Sequence, residues 1–288
     1  MSTFTRRAVS GVIAIVAALS FTPFLASGAQ AQNTLEKIRK QGYIRIGFAN
    51  EAPYSYATAS GKLTGESPSV FKHVMKKLGV NEVDGVLTEW GSLIPGLKAG
   101  RFDAIVASMY VTPKRCKQVI FANPTYGIGE AFIVKKGNPD GINTFADAVK
   151  KKLKVAFIAG TAEVGYADMA GLARDQRLIV PDFASGVAAV LAGRASAVAL
   201  TSPTAKGLAA KNDKIERTTP FIFTHDGKVY KGEGSFAFRK EDTALRDAVN
   251  AQLATFIGTP EHLAMVKKFG FDKTNLPEHT AAQLCAGK

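Results

Sequence analysis

The feature that most constrains this chain is a regular alternation of apolar, strand-like runs and helix-like segments in two separate blocks. The strand-like runs of the first block are 43–49, 83–90 and 103–108. Those of the second block, which begins after residue 143, are 154–160, 177–183 and 197–202. Segments with apolar residues at helical spacing lie between them. Because strand–helix–strand alternation favours parallel strands covered by helices, each block predicts an α/β unit.

Two extended, glycine-marked runs lie on either side of the second block, at 124–137 and 229–242. We interpret them as two hinge crossovers, so that the second block is a lobe inserted into the first. A helix predicted near 241–257 then returns the chain to lobe 1. The predicted division is a signal peptide at 1–31, lobe 1 at 32–127, lobe 2 at 128–230, and a return hinge with the rest of lobe 1 at 231–288.

The N-terminus has the three parts of a secretory signal peptide. Arg6 and Arg7 precede a long apolar run, which ends in small residues and an A-x-A site at Ala29–Ala31. A transmembrane anchor is the alternative, but Ser20 and Pro23 interrupt the apolar run. We therefore expect export to the periplasm of a two-membrane bacterium.

The charge of the chain is basic, with a formal net charge of +13. Removing residues 1–31 removes two arginines and no acids, which leaves 13 − 2 = +11. A basic balance can indicate nucleic-acid binding. Here the lysines are scattered or occur in short runs without interleaved aromatic residues, so we interpret the excess as solvated surface and expect no nucleic-acid partner.

Cys116 and Cys285 are the two cysteines of the chain. An even count in an oxidising compartment favours one disulfide, which would join the C-terminus to the segment after Arg115. Two separate buried thiols are the alternative.

Sequence motifs for catalysis or metal binding are missing. The chain has no HExxH, GxxxxGK[ST] or GxSxG motif, and its four histidines are dispersed without metal-ligand spacing. We therefore expect no metal, no cofactor and no enzymatic activity.

Polar and aromatic side chains follow the predicted strands, where ligands of open α/β sheets bind. An arginine and a helix N-terminus suit a carboxylate, whereas aromatic faces and a glutamate suit a delocalised cation. For each residue taken alone, packing or surface solvation is the more common role, but their shared position at strand ends is harder to explain by packing. Together they form the predicted ligand-binding set of Glu51, Tyr54, Trp90, Ser108, Tyr110, Thr112, Arg115, Gly160, Thr161 and Thr201.

The segment WGSLIPGLKAGRFDAIVASMYVTPKRCKQVIFANPTY resembles the signature of the family 3 extracellular solute-binding proteins of ABC importers. IAGTAEVGY and LAGRASAVALTSPTA resemble the second-lobe segments of that family. The resemblance spans about residues 34–275. It implies a two-lobed type II periplasmic-binding-protein fold (venus flytrap), a small-molecule ligand and an inner-membrane ABC permease as partner. We expect a monomer.

The resemblance also implies roles for single residues. Arg115 would bind the ligand carboxylate, and Glu51 and Tyr54 would lie where the family places an acid and an aromatic residue over the ligand. Amino-acid binders carry an aspartate for the α-ammonium at the position of Thr201. That departure, with TGESPSV, TPKRC and the LC near the C-terminus, resembles the ectoine/hydroxyectoine-binding proteins. The expected ligand is therefore a small zwitterion of that kind.

Three alternatives remain open at this point. A polar amino acid, betaine or opine would be bound if another acid replaces the missing aspartate. A periplasmic dehydratase acting on cyclohexadienyl carboxylates would need a catalytic acid or base, for which Glu51 is the visible candidate. A chemosensory receptor domain is disfavoured because the chain carries no signalling segment.

Overall fold

A computed structural model describes residues 33–288. The predicted signal peptide at 1–31 lies outside these residues. Within the described part, no helix is both long and apolar enough to cross a membrane.

The first part of the chain alternates strands with helices and contains a 3₁₀ turn at Trp90–Ser92. Its helices are α1 (Thr34–Gln41), α2 (Glu66–Lys77), α3 (Leu93–Lys98) and α4 (Pro113–Cys116). Its strands are β1 (Tyr43–Phe48), β2 (Tyr56–Ala57), β3 (Leu63–Thr64), β4 (Glu82–Leu87), β5 (Ala104–Tyr110), β6 (Ile120–Phe121) and β7 (Tyr126–Ile128).

The second part repeats the alternation and contains a 3₁₀ turn at Arg174–Gln176. Its strands are β8 (Glu130–Lys135), β9 (Val155–Ile158), β10 (Arg177–Val180), β11 (Ala197–Thr201), β12 (Ile215–Arg217), β13 (Phe223–His225) and β14 (Lys228–Tyr230). Its helices are α5 (Phe145–Lys150), α6 (Ala162–Met169), α7 (Phe183–Leu191) and α8 (Ser202–Ala209). The chain ends with β15 (Gly232–Phe238), α9 (Thr243–Phe256), α10 (Pro260–Lys267), a 3₁₀ turn at Lys273–Asn275 and α11 (Ala281–Cys285).

The main strands form two sheets. The first has the order β4-β1-β5-β15-β6, with β7 also paired to β15, and the second has the order β10-β9-β11-β8-β12. In each sheet three neighbouring strands are parallel and the hinge-side strands are antiparallel. We call the unit around the first sheet (β1–β7 and β15) lobe 1, and the unit around the second sheet (β8–β14) lobe 2.

The central strand β5 shows why the chain folds this way. Every residue from Ala104 to Tyr110 is buried. A strand with helices on both faces needs such a continuous apolar run. The neighbouring helix α2 packs Val70, Phe71 and Val74 against the core, which is one apolar face at helical spacing.

The chain passes between the sheets twice. Gly129 separates β7, which pairs with β15 in lobe 1, from β8 in lobe 2. Lys231 separates β14 from β15. The predicted division, with boundaries after 127 and 230, stays a prediction.

The predicted disulfide between Cys116 and Cys285 is confirmed, with a sequence separation of 169 residues. It joins α11 at the C-terminus to α4, the short helix that carries Arg115.

Candidate functional site

A cavity lies between the two lobes, next to the ends of their parallel strands. The empty space of the cavity is about 360 Å³, which includes open solvent at its mouth. Its lining residues are Glu51, Tyr54, Trp90, Ser108, Tyr110, Arg115, Tyr126, Thr161, Ala162, Glu163, Phe183, Leu200 and Thr201.

Arg115 is held at the corner between the lobes. The hydroxyl of Thr112 caps α4 by accepting a hydrogen bond from the Arg115 backbone N–H at 3.3 Å. The Arg115 guanidinium donates to the Tyr110 carbonyl at 2.8 Å in lobe 1 and to the Gly160 carbonyl at 2.9 Å in lobe 2. Its Cζ lies 5.8 Å from the centre of the Trp90 ring, within cation–π range. Arg115 is therefore buried, oriented and in contact with both lobes.

The turn after β1 places an acid and an aromatic residue in the wall of the cavity. Glu51 and Ser55 exchange backbone hydrogen bonds of 2.9 Å, which closes a tight turn. Tyr54 on this turn is buried, and its ring lies 5.2 Å from that of Tyr126. Gly65 abuts this turn with φ +124°, and a Cβ there would lie 2.2 Å from the Tyr54 carbonyl oxygen, so only glycine fits.

A chain of hydroxyls links the last strand of lobe 2 to Glu51. The Thr201 hydroxyl donates to the Thr204 hydroxyl at 2.9 Å, and the Thr204 hydroxyl donates to Glu51 Oε1 at 2.6 Å. Thr201 is therefore connected through Thr204 to the Glu51 carboxyl group of lobe 1, whereas an aspartate at this position would carry its own carboxyl group.

Ser108 is fixed from behind by a buried carboxyl group. Its hydroxyl donates to Glu66 Oε2 at 3.1 Å, and the Thr125 hydroxyl donates to Glu66 Oε1 at 2.9 Å. The Ser108 backbone has φ +55°, in the left-handed region, and its carbonyl accepts a hydrogen bond from the Tyr126 phenol at 2.9 Å. Two hydrogen bonds thus hold this strained residue at the cavity wall.

The electrostatics of the site are dominated by buried carboxyl groups. Burial raises the pKa of Glu51 to about 8 and that of Glu66 to about 7. Burial also raises the pKa of Glu163, and burial together with the Glu163 carboxyl raises the pKa of Glu130 well above its usual range. Among the residues that line the cavity, Arg115 is the single arginine or lysine. A bound cation would therefore favour ionisation of these acids.

Two glycines allow the lobes to meet beside the cavity. A Cβ on Gly160, which has φ +80°, would lie 3.2 Å from the Gly91 Cα of lobe 1. The Trp90 indole N–H donates across the same contact to the Gly160 carbonyl at 3.3 Å. We expected backbone N–H groups at Gly160 and Thr161, but the group of Gly160 that bonds here is its carbonyl.

Eight of the ten predicted site residues line the cavity. Gly160 contributes through the bonds described above, and Thr112 caps α4 without lining the cavity. The ligand-binding role of all ten residues stays a prediction. Sequence reasoning missed five lining residues, which are Tyr126, Ala162, Glu163, Phe183 and Leu200.

Two of the missed residues could have been found with the same rule. Glu163 and Phe183 follow β9 and β10 within a few residues, as the predicted residues follow other strands. Tyr126 lies on the antiparallel hinge strand β7, for which that rule makes no prediction.

The fold and this cavity define a two-lobed binding protein, and comparison with known proteins gives its family. The family model of the bacterial extracellular solute-binding proteins, family 3, matches residues 44–272. The chain belongs to this family, whose members are transport binding proteins, and it has the type II periplasmic-binding-protein fold that we expected.

Individual relatives agree with this assignment. A probable amino-acid ABC transporter periplasmic-binding protein of Sinorhizobium fredii is 36% identical over 281 residues, covering 96% of this chain and 93% of the relative. The crystal structure of EhuB in complex with hydroxyectoine has a TM-score of 0.79 and 34% identity, covering 89% of this chain and 99% of EhuB. The ancestral amino acid-binding protein AncCDT-1, a precursor of cyclohexadienyl dehydratase, has a TM-score of 0.69 and 32% identity, covering 82% and 99% of the two chains.

Proposed function

We propose that this solute-binding protein captures a small zwitterionic compatible solute, ectoine or hydroxyectoine, and delivers it to an ABC permease. In this proposal the signal peptide directs the chain to the periplasm, and the mature protein acts there as a monomer. The lobes close on the ligand and open to release it.

The observation that carries the proposal is the presence of two kinds of recognition group in the lining of one cavity. Arg115, with its guanidinium fork held in place, suits a carboxylate. Glu51 and the ring of Tyr54, which line the same cavity, suit a cation with delocalised charge. A ring that bears both a carboxylate and an amidinium matches this arrangement.

Thr201 and the similarity to EhuB support the cyclic zwitterion over an α-amino acid. A threonine whose proton is bound by Thr204 offers no charge to an α-ammonium group. EhuB, which is similar over most of both chains, is complexed with hydroxyectoine in its structure.

A polar amino acid is the second candidate, and Glu163 favours it. This buried acid lines the cavity in the first turn of α6 and could replace the missing aspartate as partner of an α-ammonium group.

Fluorescence of Trp90, the single tryptophan of the chain, tests the proposal. The mature protein is unfolded, dialysed and refolded to remove any bound ligand, and is then titrated with ectoine, hydroxyectoine, glutamine and arginine. We expect a saturable change with ectoine or hydroxyectoine that is lost in Arg115→Ala. A saturable change with glutamine or arginine alone would replace the proposal with the second candidate.

A further inference from the structure

Each of the three small hydroxyls that line the cavity already donates its proton to a protein acceptor. The three donations are Ser108 Oγ to Glu66 Oε2 (3.1 Å), Thr201 Oγ1 to Thr204 Oγ1 (2.9 Å) and Thr161 Oγ1 to the Ile158 carbonyl (3.1 Å). A hydroxyl has one proton and two lone pairs. What each of them can offer a ligand is therefore a lone pair.

The direction of two of these bonds is fixed by further contacts. Glu66 is 1% exposed, and both of its oxygens accept from hydroxyls, one from Ser108 and one from Thr125. When Glu51 is ionised, Thr204 gives its own proton to Glu51 at 2.6 Å and can then only accept from Thr201. Reversing either bond would leave a buried carboxylate oxygen without a hydrogen-bond donor, which is unfavourable.

The side-chain donors of the cavity that are free for a ligand are few. They are the Arg115 guanidinium and the phenols of Tyr54 and Tyr110, whose oxygens are buried without a hydrogen-bond partner among the described residues. Glu51 and Glu163 add further acceptors to the lining. The cavity therefore has few free donors, whereas its three small hydroxyls and its ionised carboxyl groups present acceptors to a ligand.

From this polarity we infer that the site selects ligands whose cation carries N–H groups and rejects cations that are fully N-methylated. In this inference Glu66 is the positioning residue that makes Ser108 an acceptor. The inference rests on the proposed function in taking the ligand to be a zwitterion. It deepens that function by separating N–H zwitterions from betaines, which have the same charges but no N–H donor.

The expected selectivity follows from leaving acceptors unpaired. An N-methyl group in place of an N–H leaves a buried acceptor without a partner, and sites built around a hydrogen bond discriminate strongly against analogues that lack it. With several acceptors affected, we expect betaines to bind at least about 100-fold more weakly than the best N–H zwitterion.

A calorimetric panel at pH 8.5, where Glu66 with its pKa of about 7 is ionised, tests the inference. The probes are ectoine and L-proline, which have N–H groups, and proline betaine and glycine betaine, which have none. Proline and its betaine differ only by N-methylation. Binding of a betaine within tenfold of the best N–H probe would overturn the inference, as would the absence of binding by both N–H probes.

Two variants test the role of Glu66. In Glu66→Gln, the amide N–H₂ replaces one acceptor oxygen, so one of the two hydroxyls must turn its proton elsewhere. Ser108→Ala removes the acceptor directly and carries the test if Glu66→Gln does not fold. Thr125→Val is the control, because it removes the other partner of Glu66 and leaves the Ser108 bond in place.

The readout is the ratio of the affinities for the best N–H probe and for proline betaine. We expect a ratio at least fivefold lower in Glu66→Gln or Ser108→Ala, and an unchanged ratio in Thr125→Val. A purely structural role would lower both affinities equally and keep the ratio, which would refute the assignment of Glu66. If proline binds, ectoine does not and betaines are rejected, the inference stands and the proposed substrate fails. If ectoine and a betaine bind equally well, the proposed substrate stands and the inference fails.

Discussion

Replacing Glu51 with glutamine should make the ligand-free protein more stable at neutral pH. Glutamine has nearly the same shape, and its carbonyl oxygen can still accept the hydrogen bond from Thr204. The change removes the ability of this buried side chain to ionise. The stability cost of keeping this carboxyl group buried should therefore disappear in the variant.

The size of the effect follows from proton linkage. The pKa of Glu51 is raised from 4.5 to about 8 in the folded protein. Between these values the unfolded chain binds fewer protons than the folded one, so stability falls as pH rises through this window. At roughly 1.4 kcal/mol per pH unit, the cost is about 3 kcal/mol at pH 7 and below about 1 kcal/mol at pH 5. Glu51→Gln should be more stable than the wild type by about this cost at each pH.

Urea unfolding of ligand-free protein at pH 5 and pH 7 measures the unfolding free energy that Glu51→Gln gains over the wild type. Glu89→Gln makes the same chemical change at an exposed residue next to Trp90 in the sequence and serves as the control. We expect Glu51→Gln to gain about 2 kcal/mol more over the wild type at pH 7 than at pH 5, and Glu89→Gln to gain nothing. An equal effect at both pH values, or a loss at pH 7, would refute the reasoning.

Three further results are expected. Arg115→Ala should lower affinity for a carboxylate ligand at least about 100-fold in calorimetry, while the exposed Lys114→Ala keeps it; micromolar binding by the arginine variant would contradict the site. Trp90→Ala should weaken binding about tenfold or more, or at least about 1.4 kcal/mol, and unchanged affinity would limit Trp90 to packing. Reducing the Cys116–Cys285 disulfide, which closes a loop with a sequence separation of 169, should lower unfolding free energy by several kcal/mol, on the order of 5 in the chain-entropy account; equal stability with and without reductant would contradict this.

Much of the fold could be predicted from the sequence, because its main elements are local patterns. A run of mostly apolar residues predicts strand β5. Apolar residues at helical spacing predict helix α9. Residues that follow strand ends were placed near one another because parallel strands end at the same edge. Arg115 was found in this way.

The site features that the sequence does not predict depend on contacts between distant segments. Nothing local indicates that Glu66 is buried behind Ser108, since an acid in the first turn of a helix usually faces solvent and complements the helix dipole. Glu163 in α6 has the same ambiguous position. Thr112 was predicted as a ligand contact, whereas its hydroxyl caps α4, a role that serine and threonine often have before a helix.

Calorimetric titration of refolded, ligand-free protein with ectoine, followed by glutamine on a second sample, tests the central claim most directly. The account predicts one saturable site for ectoine with micromolar or tighter affinity, and at least about 100-fold weaker binding of glutamine. Tight binding of glutamine with no measurable heat from ectoine would contradict it.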